Sequence, residues 1–119
     1  MENYLDILEQ EFKAEDDSFL DQLRNDLKWD EIAFSRLVEA MISHCEKHSQ
    51  DKKVERWIAE GFWFIPTFVR DWSSHENFPR LFPDKYYIKA CNLLDELAFW
   101  FFMGTNPWHI RYKRDISFK

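Results

Sequence analysis

Apolar side chains recur along this chain at intervals of three and four residues, the spacing that lines one face of an α-helix. Residues 2–13 place Tyr4, Ile7, Leu8, Glu11 and Phe12 at helical spacings, with Glu11 the one acid among them. "AEDDS" then breaks the pattern, and Ser18 is placed to cap a short second segment carrying Phe19, Leu20, Leu23 and Leu27. The clearest stripe runs from Asp30 to His48. Ile32, Phe34, Leu37, Val38, Met41, Ile42 and Cys45 form one face there, and Glu31, Arg36, Glu39, Glu46 and Lys47 fill the rest.

"SQDKK" reads as a loop with Ser49 or Asp51 as the next cap, followed by a helix from about Lys52 through Trp57, Ile58 and Phe62 toward Trp72. Pro66 is expected to kink or interrupt that helix, because proline lacks the N–H donor and clashes with the carbonyl four residues back. "SSHENFPRLFPDK", with its two prolines, predicts a long loop. The last helix is expected from about Asp84 to Met103, with Tyr87, Ala90, Cys91, Leu94, Leu97, Ala98 and Phe101 inward and Gly104 as a left-handed stop. Beyond it, Trp108, Ile110, Tyr112, Ile116 and Phe118 suggest an extended strap over residues 105–119. The pattern as a whole predicts an all-α protein: one domain, residues 1–119, built as a compact bundle of about four to five helices with an extended C-terminal tail.

Composition narrows the function. Two glycines in 119 residues leave too little turn punctuation for a sheet protein. No run of about 18 uncharged apolar residues occurs, so no membrane partner is expected, and the acidic "MENYLDILEQEF" lacks the basic region of a signal peptide, which leads us to expect a cytoplasmic protein. Cys45 and Cys91 stand apart without metal-knuckle spacing and read as reduced, buried thiols. Six tryptophans and twelve phenylalanines exceed what one small core requires, so an exposed aromatic patch is expected, with "AFWFFMG" the most apolar stretch.

Charge is uneven. Residues 1–60 carry sixteen Asp/Glu against eight Lys/Arg, whereas residues 61–119 carry six against eight. A nucleic-acid backbone demands a dense positive footprint, so that partner is excluded, and a protein with a basic surface suits the acidic half better.

Two stretches invite catalytic or metal chemistry. "VRDWSSHENF" sets Asp71, Ser74 and His75 close in sequence, but no G-x-S-x-G elbow surrounds the serine and adjacent side chains normally diverge. The stretch reads as the end of a kinked helix with Trp72 inward and Asp71 bonding locally or pairing with Arg70 or Arg80. "HCEKH" puts His44 and His48 on one helix face at a spacing that can share a metal, yet Cys45 stands where a zincin has its glutamate and further ligands are missing. We expect no catalytic residue, no metal and no cofactor.

The run "W-x4-FWFIPTFVRDWSSHENF", then "YY-x3-A-x3-LDELAFWFFMG-x2-PW", resembles small bacterial immunity proteins of polymorphic-toxin and contact-dependent growth inhibition systems. The resemblance covers just under half of the chain. It rests on Phe62, Trp63, Phe68, Asp71, Trp72, His75, Tyr86, Tyr87, Leu94, Asp95, Trp100 and Phe101. It implies a helical bundle that binds a cognate toxin, often a nuclease, and neutralises it by occlusion. The expected partner-binding residues are Glu11, Glu15, Asp16, Asp17, Asp30 and Glu31, joined by Asp71 and His75. The competing expectations are a helical adaptor that oligomerises through "AFWFFMG" and a small hydrolytic or metal-binding protein, with a monomer favoured over an oligomer.

Overall fold

The computed structural model describes residues 3–110. Five helices follow one another: α1 (Tyr4–Phe12), α2 (Phe19–Asn25), α3 (Glu31–His48), α4 (Arg56–Ser73) and α5 (Asp84–Met103). Among the described residues there is no strand, so the architecture is the expected all-α bundle. The part of the expected strap that carries Tyr112, Ile116 and Phe118 lies outside the described residues.

Local chemistry sets most of the helix ends. The Asn3 side chain accepts the Asp6 N–H, and Ser18 accepts the Asp21 N–H. Asp30 Oδ1 accepts the N–H groups of Ile32 and Ala33, satisfying two of the donors that the first turn of a helix leaves open. At the far end of α5, Gly104 takes φ +77° and returns its N–H to the Trp100 carbonyl. The cap expected at Ser49 or Asp51 is not made: α4 begins only at Arg56, behind Glu55, whose side chain does not cap it. Asp51 instead bonds the His48 ring at 2.8 Å.

Pro66 does not interrupt α4, which runs through it for eighteen residues. The proline costs one backbone hydrogen bond, and the helix persists because Phe62, Ile65 and Val69 on the same side are completely buried. Gly61 permits the close approach of α1, since a Cβ there would lie 1.9 Å from Phe12 Cδ2.

α1 packs on α3 and α4 on α5, with α3 also against α5. Two aromatic groups knit these pairs. Phe62 and Phe101 stack at 4.2 Å with ring planes 3° apart, joining α4 to α5. Trp29, just before α3, meets Phe19, Phe34, Tyr86 and Tyr87 edge-on or tilted at 4.9–5.8 Å. Its indole N–H donates to the Tyr86 hydroxyl at 2.9 Å, so the polar atoms of this buried cluster satisfy each other.

Two apolar-pattern assignments change, and a third, buried position of the pattern holds an acid. Ile32 is 79% exposed rather than part of the α3 stripe, because the Asp30 cap starts the helix with that position facing outward. Leu27 lies beyond the end of α2, where φ of +52° turns its side chain partly into solvent. Glu11 is fully buried, and its Oε1 accepts the Phe19 N–H at 2.8 Å. That acid ties α1 to the first turn of α2, a donor that would otherwise be orphaned in the core.

Candidate functional site

α2 and the C-terminal end of α4 meet along a short seam. The Trp72 indole N–H donates to the Leu23 carbonyl at 2.9 Å, fixing the ring as a wall. After α4 the chain turns back through hydrogen bonds from the His75 N–H to the Trp72 carbonyl and from the Phe78 N–H to the His75 carbonyl. The turn tucks Phe78 into the core. What remains between Leu27, Asp71, Trp72, His75, Asn77 and Phe78 is a cleft of about 430 Å³.

Two of the residues singled out from sequence, Asp71 and His75, thus come together at this cleft. They do not form a hydrolytic relay. The Ser74 hydroxyl donates to the Asp71 backbone carbonyl at 3.3 Å, and His75 Nδ1 accepts the Asn77 N–H at 3.1 Å. Nδ1 therefore carries no proton in the neutral ring, which leaves Nε2 as the N–H.

The expected pairing of Asp71 with a neighbouring arginine is not made. Arg70 binds Asp95 on α5 at 2.6 Å. Arg80 binds Asp84 at 2.7 Å, donates to the Ser73 carbonyl at 3.0 Å and lies 4.7 Å over the Tyr87 ring. The Asp71 carboxylate has no hydrogen-bond or ion-pair partner among the described residues.

The acidic residues divide by role. Glu15, Asp16 and Asp17 are exposed on the α1–α2 turn. Asp30 is half-buried and engaged as the α3 cap, and it also accepts from the Gln22 amide at 3.0 Å. These hydrogen bonds hold its carboxyl below the usual carboxylate range, against the upward push of partial burial. Glu31 is half-buried beside the Tyr86 hydroxyl. Glu11 is buried and cannot meet a partner's surface, which removes it from the expected binding group. Its burial, opposed by the Phe19 N–H and the Arg36 charge, pushes the carboxyl up to about 7.

His44 and His48 lie with ring centroids 4.9 Å apart, but His44 is enclosed by Tyr4, Phe62 and Phe101 and His48 by its bond to Asp51. Burial and the neighbouring His48 push His44 down to about 4. Among the described residues no group of three or more His, Cys, Asp or Glu side chains is placed to hold a metal ion. Cys45 and Cys91 are buried free thiols, and burial raises both.

The cleft has no signature in sequence because periodicity assigns Leu27 to α2, which ends at Asn25, and Phe78 reaches it from a loop. The exposed aromatics were anticipated in kind: Trp63 is 66% exposed and Phe102 51%, with Phe99 set edge-on to Trp108 at 5.1 Å. The Arg70–Asp95 bridge and the Phe62–Phe101 stack fix the antiparallel register that sets Trp63 level with Phe102. No helix among the described residues is long and apolar enough to cross a membrane. Comparison with protein-family models, curated proteins and solved structures finds no match to this chain.

Proposed function

We propose that this protein is a toxin-neutralising binder, an immunity protein that covers a basic surface of a cognate bacterial toxin domain and works by occlusion rather than catalysis, in the cytoplasm. The observation that carries the reading is the run Glu15, Asp16 and Asp17, exposed together on the turn between α1 and α2. Backbone bonds from the Glu15 N–H to the Gln10 carbonyl and from the Ser18 N–H to the Glu15 carbonyl hold the turn against the end of α1. Clustered charge of this kind raises association rates and selects cationic partners. The aromatic residues on α4 and α5 supply the second ingredient of tight interfaces, large apolar anchors.

The test is association kinetics with the protein encoded by the reading frame immediately upstream. Reversing Glu15, Asp16 and Asp17 to lysine is expected to slow association by tenfold or more at low salt, with dissociation little changed. An association rate unaffected by the reversal would place the interface on another face. The adaptor reading draws on Trp63, Phe99 and Phe102, and a monomer by sedimentation across micromolar concentrations would sink it.

A further inference from the structure

We infer that the cleft beside α2 receives an arginine side chain of a protein partner, with Asp71 as its counter-ion; this rests on the toxin-binding reading for the partner's class. The cleft walls are almost wholly apolar, which suits the aliphatic stem of a long cationic side chain rather than a compact polar group. Trp72, pinned through its indole N–H to Leu23, offers a fixed aromatic surface. A planar guanidinium stacks on such a surface and is less strongly hydrated than an ammonium, which favours arginine over lysine.

Charge points the same way. The two cations nearest Asp71 along the chain on the α4 side, Arg70 and Arg80, are each bound to another carboxylate. Asp71 is exposed at the rim with no ion pair among the described residues, and Glu76 on the following turn is exposed as well. The site also falls within reach of the acidic turn. α2 has seven residues, so at about 1.5 Å per residue the turn at its start and Leu27 just beyond its end are only about 10–15 Å apart. One basic partner surface can engage both.

The probe is N-acetyl-L-arginine methylamide, titrated into the protein and followed by the Trp72 indole and the His75 and Asn77 amide resonances. Saturable shifts in the millimolar range are expected, weakened at least fivefold in Asp71→Asn and with the uncharged citrulline analogue. A variant carrying Glu15→Gln, Asp16→Asn and Asp17→Asn is expected to bind the probe as the wild type does. Absence of saturation, equal binding of citrulline, an unaffected Asp71→Asn, or loss of binding in the triple variant would each overturn the assignment. Arginine binding at the cleft in a protein that forms no toxin complex would sink the toxin reading alone. A toxin complex indifferent to Asp71→Asn, with no arginine binding, would sink the cleft alone.

Discussion

At pH 8 the substitution Glu11→Gln should stabilise this protein, although it removes a charged residue that bonds the backbone. The folded carboxyl holds its proton up to about pH 7, whereas its ordinary value is 4.5. Between those values the folded state binds more protons than the unfolded one, so stability falls as pH rises. The contribution is fully present below pH 4.5 and is lost by the time pH has passed 7. At 1.36 kcal/mol per pH unit the loss amounts to ~3 kcal/mol.

Glutamine keeps an oxygen for the Phe19 N–H and is never ionised. Its amide nitrogen would occupy the position of Oε2, which has no hydrogen-bond partner, so a cost of about 1 kcal/mol remains at every pH. The difference between variant and wild type should therefore shift in the variant's favour by ~3 kcal/mol from pH 4.5 to pH 8. Urea denaturation of both proteins at half-unit pH steps measures it, and groups common to both cancel. A difference that stays constant with pH would refute the reasoning. So would a variant weaker by 2 kcal/mol or more at pH 8, which would mean that Glu11 is ionised and stabilised there by Arg36.

The remaining predictions concern packing, the second buried titratable group and the backbone. His44 is held neutral down to about pH 4, so its stabilisation is present above pH 6.5 and lost as pH falls; His44→Phe should remove that loss and make stability rise on acidification from pH 7 to 4.5, as chemical denaturation would show. Gly61→Ala gains about 1 kcal/mol of helix propensity but drives its Cβ into Phe12, and thermal melts should show a net loss of about 1–3 kcal/mol. Tyr86→Phe leaves the buried Trp29 N–H without its acceptor, for an expected loss of about 1–3 kcal/mol in the same assay. Ala14 sits at φ +52°, and Ala14→Gly should relieve that conformation for a gain of up to about 1 kcal/mol.

The helices were legible where side-chain chemistry and periodicity agree. Asp30, Ser18 and Gly104 announce their roles because cap and stop positions demand those residue types, and α5 falls between the expected residues. The start of α4 differs because "SQDKK" has suitable cap letters, but Ser49 closes the C-terminus of α3 and Asp51 pairs with His48. Glu11 looked like surface acid by type, although its place among Tyr4, Ile7, Leu8 and Phe12 marked it as facing inward. The cleft's charge depends on which arginine reaches which carboxylate: Arg70 crosses to Asp95, 25 residues away, and no local rule foretells that it passes over the neighbouring Asp71.

The central claim is that this acidic bundle binds and silences a toxin. It is met most directly by co-expressing the tagged protein with the product of the adjoining reading frame and measuring both complex stoichiometry and growth. A one-to-one complex with growth restored, and both lost when Glu15, Asp16 and Asp17 are reversed to lysine in a protein that still folds, is the predicted result. Growth arrest that persists with no complex formed, or rescue indifferent to the reversal, would contradict it.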